Sequence, residues 1–225
     1  MNFRNFIGRI SRSRITHLGI IEKSIIYKFL PKKAIIVEAG AHIGLDTIQL
    51  AQHFPNGKIY AFEPVSVIFE KLYERISSYK NVTPLKIALS DRSGKAKMFI
   101  SSGVSDGSSS LLPPKEHLKY HPEVIFDKEE IVDCITLDDL VLKEHLEKID
   151  LLWLDLQGKE LSVLKASTSI LDTITVIYTE INLKEVYDGA PLYYELREWL
   201  ENKGFKVYKE AIPWEDSGNV LFIRK

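Results

Sequence analysis

Hydrophobic positions along this chain follow two rhythms in turn. Short apolar runs bounded by polar turns alternate with segments whose apolar residues recur every three or four positions, a pattern that predicts strands and helices in alternation. Ala34-Ile35-Ile36-Val37 is apolar on both faces and too short for a helix, as a strand buried between two helix layers should be. Glu38-Ala39-Gly40 closes that strand. From Ile43 the spacing becomes helical, with Ile43, Thr47, Leu50 and Ala51 on one stripe. Lys58-Ile59-Tyr60-Ala61-Phe62 predicts a second strand ending in Glu63-Pro64, and residues 65–79 a helix striped by Val65, Phe69, Leu72 and Ile76. A third strand is predicted from Asn81 through Leu85, Ile87 and Leu89. This alternation argues for parallel strands joined by right-handed crossovers.

The second half reads differently at first. Residues 95–100 and 129–135 alternate in strand fashion and are expected to pair as an inserted hairpin. Between them, residues 101–128 carry Gly103, Gly107, Ser108, Ser109, Ser110, Pro113, Pro114 and Pro122; a loop this long in a compact domain is expected to act as a lid that selects substrate. Thr136 is placed to cap a helix running past Leu146, with Asp138 and Asp139 at its positive end. Residues 149–154 give a fourth strand ending at Asp155-Leu156-Gln157-Gly158, residues 160–171 a helix, and residues 173–178 a fifth strand ending at Thr179-Glu180. A helix over 192–202 and two strands over 205–211 and 219–223 complete the pattern, the final pair antiparallel. Residues 1–30 space Phe3, Phe6, Ile7, Ile10 and Ile15 among basic residues, as one or two amphipathic helices. Packing on the domain's flank is the preferred reading of that segment, ahead of a membrane-surface helix or a cap over the pocket. Pro31 breaks the pattern, so the organisation expected is a helical extension over 1–33 and one α/β domain over 34–225.

Composition narrows the function. Lys and Arg number 30 against 31 Asp and Glu, a net charge of −1 that gives no reason to expect a nucleic-acid partner. Cys134 is the only cysteine, which excludes an internal disulfide and a cysteine-rich zinc site and makes a cytoplasmic location the default. No apolar run approaches the length of a membrane span, and Arg4, Arg9, Arg12 and Arg14 interrupt the first thirty residues without a cleavable signal pattern.

The candidate chemistry gathers at the first turn. Glycine is needed where backbone passes close to a ligand, and a helix start offers free N–H groups, so the Gly40 to Gly44 turn is expected to hold a nucleotide-like cofactor. A dinucleotide site would need a middle glycine where this chain has His42. The spacing Glu38-x-Gly40-x-x-x-Gly44 instead resembles motif I of the class I S-adenosylmethionine-dependent methyltransferases. Glu63, ending the next strand, is placed to accept both ribose hydroxyls. Ala88-Leu89-Ser90-Asp91 ends the third strand, where an adenine pocket would lie.

Four stretches, VEAGAHIGLDTIQLA, IYAFEPV, ALSDRSGKAKM with the later TLDDL, and IDLLWLDLQGKELSVLKAS followed by IYTEI, together resemble the FkbM family of methyltransferases over roughly residues 34–210. The resemblance implies a Rossmann-like class I methyltransferase fold, a seven-stranded, mostly parallel sheet with helices on both faces and strand order 3-2-1-4-5-7-6. It also implies S-adenosylmethionine as donor, S-adenosylhomocysteine as product, and transfer to a hydroxyl of a sugar or small metabolite. By position, Glu38, Gly40, Ala41, His42 and Gly44 would form the methionine-side loop, Glu63 with Pro64 the ribose clamp, Ala88 and Leu89 the adenine contact, and Asp155 would lie beside the methyl group. The sequence departs from the family at three places: Trp153 where Lys is common, Gln157 where Glu is common, and His42 where Asn is frequent.

An alcohol acceptor needs a group to take its proton, and carboxylates at strand ends are the candidates. Asp155 is the first choice, against an even alternative of holding the cofactor's amino group or capping a helix. Glu180 is either a second base, a magnesium ligand with Asp155, or structural; two carboxylates alone make a weak metal site. His117, His121, Asp106 and Ser108 to Ser110 read as solvated lid residues with a site role as the alternative, and Tyr187, Tyr193, Tyr194 and Trp214 as core or edge aromatics, with a platform for a sugar ring as the alternative. Two rival functions are a non-catalytic nucleoside-binding scaffold and an NAD-dependent oxidoreductase, the latter disfavoured by the absent middle glycine and the absence of a Ser-Tyr-Lys constellation. The sequence names neither the acceptor nor the oligomeric state, a homodimer included.

Overall fold

The computed structural model describes residues 21–225; the predicted helical segment before Ile21 lies outside them. A short helix α1 (Lys23–Tyr27) leads into β1 (Ile35–Ala39), α2 (Leu45–His53), β2 (Lys58–Phe62), α3 (Ser66–Ile76) and β3 (Val82–Leu85). Two strands of an inserted unit follow β4 (Ala88–Leu89): β5 (Gly94–Gly103) and β6 (Val124–Ile135), with the short helix α4 (His117–Tyr120) between them. Then come α5 (Leu137–Glu144), β7 (Leu151–Leu154), α6 (Glu160–Ala166), β8 (Val176–Asn182), α7 (Tyr193–Asn202), β9 (Phe205–Ala211) and β10 (Ser217–Arg224). The main sheet has seven strands in the order β3-β2-β1-β7-β8-β10-β9, with β10 antiparallel to both neighbours, which is the expected 3-2-1-4-5-7-6 order of an α/β Rossmann-like methyltransferase sheet.

The two-faced apolar run of β1 is what makes a three-layer fold. Val37 and Ala39 pack in one core with Tyr60, Phe62, Leu152 and Leu154, while Ile36 packs in another with Ile59, Leu151 and Trp153. Alternate side chains thus enter opposite helix layers.

The inserted hairpin forms as expected and runs further than its alternating core. Lys95 pairs with Asp133 at 2.8 Å and Lys97 with Glu129 at 3.0 Å across β5 and β6. Strand therefore takes both ends of the predicted 101–128 loop and leaves 104–123 outside the hairpin, irregular except for α4.

Four expectations are corrected by the structure. The third strand stops at Leu85, because Ala88 and Leu89 leave the main sheet and pair in parallel with Cys134 and Ile135 of β6. The helix after Thr136, whose side chain accepts from the Asp139 N–H as expected, stops at Glu144: His145 turns left-handed (φ 53) and the Leu146 N–H returns to the Val141 carbonyl at 3.0 Å. The helix from Glu160 ends at Ala166, where the Ser167 hydroxyl back-bonds to the Val163 carbonyl at 2.7 Å. The fifth strand starts at Val176 and continues through Asn182, because β10 pairs with it as far as Ser217 to Asn182. Glu180 therefore lies inside a strand and not at its end.

Candidate functional site

Register places the predicted residues side by side. Ala39 of β1 pairs with Phe62 of β2 and with Leu154 of β7, and Leu154 pairs with Thr179 of β8. One residue further along each strand path, Glu63, Gly40, Asp155 and Glu180 follow in that order across the sheet, the first three just past the carboxyl ends of their strands, where ligands of open α/β sheets bind, and Glu180 still within β8. Gly40 is held by donating its N–H to the Phe62 carbonyl at 3.1 Å, with φ +92, and a Cβ there would stand 2.2 Å from the Asp155 carbonyl oxygen. Only glycine lets the two strand ends approach so closely.

A cleft of about 270 Å³ opens above this edge, and Glu38, Gly40, Ala41, His42, Glu63, Pro64, Ala88, Leu89 and Asp155 all line it. Gly44 does not. It is the left-handed N-cap of α2, where a Cβ would meet Leu72 Cδ1 at 2.7 Å, so it closes α2 onto α3. His42 also takes left-handed backbone (φ 48), and its Nε2 meets Asp106 Oδ1 at 2.8 Å. That contact brings the irregular segment after β5 over the cleft, and Gly107, Ser109 and Leu111 become part of its wall.

The acidic groups here are perturbed mainly by burial. Glu38 is 1% exposed and its carboxyl is pushed up to about 8; its Oε2 is buried with no hydrogen-bond partner. An orphaned carboxylate oxygen on a cleft wall fits a ligand bearing an ammonium group, as the aminoacyl end of S-adenosylmethionine does. Burial raises Glu63 to about 7 while the Val65 N–H donates to it at 2.8 Å, leaving acceptor capacity facing the cleft. Glu160, likewise raised by burial to about 7, accepts from the Leu156 N–H at 2.8 Å and the Gly158 N–H at 3.1 Å and so fixes the turn after β7.

That turn carries a residue whose reach sequence reading missed. Gln157 has left-handed backbone (φ 51); its Nε2 donates to Asp155 Oδ1 at 2.6 Å and to Glu180 Oε2 at 2.5 Å. Its Oε1 accepts from the Tyr187 hydroxyl at 2.7 Å, and its main-chain carbonyl accepts from Ser110 Oγ at 2.7 Å. Asp155 opens onto the cleft, yet the protein crowded round it pushes its carboxyl up while the hydrogen bond from Gln157 pulls it back. Glu180 is raised well above the carboxylate range by burial and then by the Asp155 charge. Of the pair, Glu180 holds its proton longer and Asp155 is the readier to ionise.

On the far side of Gln157 and Glu180 lies a second cleft of about 480 Å³. Its wall includes Tyr120, Tyr187 and Trp214 and both lid histidines. His117, expected to be solvated, is 4% exposed, packed against Phe126 and Tyr187, and burial draws it down to about 4. His121 instead pairs with the buried Asp216 at 2.8 Å. Tyr193 belongs to the core, where it bonds Glu210, and Tyr194 is exposed on α7; neither lines either cleft. Among the described residues no group of three or more His, Cys, Asp or Glu side chains converges as a metal site, and no helix is long and apolar enough to cross a membrane.

Residues 38–207 match the methyltransferase FkbM domain family. Among curated proteins, the chain is 29% identical over 174 residues to 2-O-methyltransferase NoeI of Sinorhizobium fredii, covering 75% of this chain and 72% of that protein. It is 27% identical over 241 residues to methyltransferase sdnD of Sordaria araneosa, covering 91% of each. Among solved structures, the methyltransferase FkbM of Methylobacillus flagellatus KT superposes with a TM-score of 0.58 at 12% identity over 92% of this chain, which spans 47% of that longer one. The last comparison bears on the fold.

Proposed function

This chain belongs to the methyltransferase FkbM domain family, whose methyl donor is S-adenosylmethionine, and on that footing we propose that it methylates a hydroxyl oxygen of a sugar or other small metabolite. The observation that carries this reading is the meeting of two clefts at one hydrogen-bonded group, Asp155, Gln157 and Glu180. The name 2-O-methyltransferase, borne by NoeI, supports an oxygen acceptor.

S-adenosylmethionine, when bound, supplies a methyl group already activated on a sulfonium. What remains for the protein is to hold, orient and deprotonate. Glu38 is assigned to the donor's ammonium group, whose arrival would partner its orphaned oxygen. Glu63 is assigned to the ribose hydroxyls, and Ala88 and Leu89 to one side of the adenine. Asp155 would take the proton that the acceptor hydroxyl gives up on methylation. Glu180, which keeps its proton longer, donates a hydrogen bond and limits the negative charge around that base.

The test is transfer from isotopically methyl-labelled S-adenosylmethionine to a panel of hydroxylated sugars and metabolites, with the product located by NMR. A methoxyl signal is expected. Label found only on nitrogen or carbon would overturn the oxygen assignment.

A further inference from the structure

Among the described residues, the second cleft is lined by no Lys or Arg. Of its three carboxyl groups, Glu180 holds its proton and Asp216 pairs with His121, which leaves Glu123 as its uncompensated charge. The two histidines do not change the balance. His117 is neutral in the physiological range because burial draws it down to about 4, and His121 is committed to Asp216. Glu123 is exposed, and Trp214, 52% exposed, also lines the cleft.

A second observation marks this as a place for a ligand and not merely an acidic surface. His117 is 4% exposed, lines the cleft, and has its Nδ1 buried with no hydrogen-bond partner. A buried imidazole nitrogen without a partner costs free energy unless something polar meets it. The cleft also adjoins the donor side through Gly107 and Gln157, which line both.

We propose that the second cleft seats the methyl acceptor, and that the acceptor is a hydroxylated ring bearing a basic amine and no acidic group. This rests on the methyltransferase reading above and adds to it the chemical class of the substrate. A carboxylate or phosphate on the acceptor would meet Glu123 with no lysine or arginine in the cleft to pair with, and like charges set against each other disfavour that partner. An ammonium group is instead drawn to Glu123 and over the Trp214 face, where a cation is favoured. With the amine anchored there, a hydroxyl of the same ring lies toward Gln157 and Glu180, and His117 Nδ1 gains a polar neighbour.

Calorimetry on the intact chain tests this with three matched probes: methyl glucosaminide, methyl glucoside and methyl glucuronide. Each is titrated with and without saturating S-adenosylhomocysteine, so the charge order is read even where the nucleoside gives no heat, an outcome that counts against the donor assignment alone. The amine probe is expected to bind about tenfold or more tighter than the uronide. Glu123→Lys, at an exposed position, is expected to narrow or invert that order, and Trp214→Ala to weaken the amine probe. Equal or tighter binding of the uronide by the native chain, no binding of the amine probe, or an order unmoved by Glu123→Lys would overturn the proposal.

Discussion

The Tyr187 hydroxyl lies 2.7 Å from Gln157 Oε1 and 2.9 Å from the Ser108 carbonyl, so its one hydrogen is shared between two acceptors on the side of the Gln157 amide away from the carboxyl groups. With Oε1 turned to Tyr187, both hydrogens of Nε2 are free for Asp155 and Glu180, one each. An uncharged side chain thereby satisfies two acids at once. A glutamate in its place would add a third carboxylate and no donor.

Gln157→Glu should therefore move the acidic limb of the pH–rate profile to higher pH, because each neighbouring negative charge makes the next ionisation harder. Tyr187→Phe should lower kcat with little change in the KM for S-adenosylmethionine, since Tyr187 lines the second cleft and not the donor cleft. Steady-state kinetics over pH 5 to 9 read both; an unmoved profile in Gln157→Glu would remove Gln157 from the proton chemistry.

Asp155→Asn should reduce turnover by a factor of about 100 to 10,000, the range general-base catalysis supplies, and leave S-adenosylhomocysteine affinity near native. An equal loss of affinity would assign Asp155 to the donor instead.

Stability should respond to pH through the buried acids. Glu38 and Glu63 are raised by burial to about 8 and about 7, so the folded state holds protons that the unfolded chain has already lost. Stability from such groups is present at low pH and lost as pH rises through the folded values. The ligand-free midpoint of thermal unfolding should fall between pH 6.5 and 8, a window above the range in which His117 opposes the trend. Glu38→Gln should flatten that fall. A midpoint that rises across the window would contradict the burial argument.

Gly40→Ala should destabilise the fold by roughly 1–3 kcal/mol and abolish donor binding, since left-handed backbone and a 2.2 Å approach to the Asp155 carbonyl both forbid a Cβ. Chemical denaturation with a binding titration reads the two effects separately.

How much of this was legible depends on the range of the forces involved. The sheet order is what the family resemblance implies, whereas the strand ends at Glu63, Gly40 and Asp155 follow from apolar runs that each end in a polar or glycine residue, a local signal. Glu180 was legible as a cleft residue while its strand was misplaced, because the antiparallel pairing of β10 that extends β8 comes from a segment far along the chain. Ala88 and Leu89 were read as one strand with Leu85 for the same reason: their partner is β6. Gln157 looked like an isolated departure from a family pattern. Its role as a hub comes from Tyr187, 30 residues away, and Ser110, 47 residues away, on segments with no periodicity. His117 sits among prolines and charges that read as a solvated loop, and only tertiary contact with Phe126 and Tyr187 buries it.

The central claim, that the cleft over the β1 turn holds S-adenosylmethionine with Glu63 at the ribose, is tested most directly by calorimetric titration of S-adenosylhomocysteine into the native chain and Glu63→Ala. The native chain should bind saturably at one site, and the substitution should weaken binding by about 1.5–3 kcal/mol for each charged hydrogen bond lost. Unchanged affinity in Glu63→Ala, or no binding by the native chain, would contradict it.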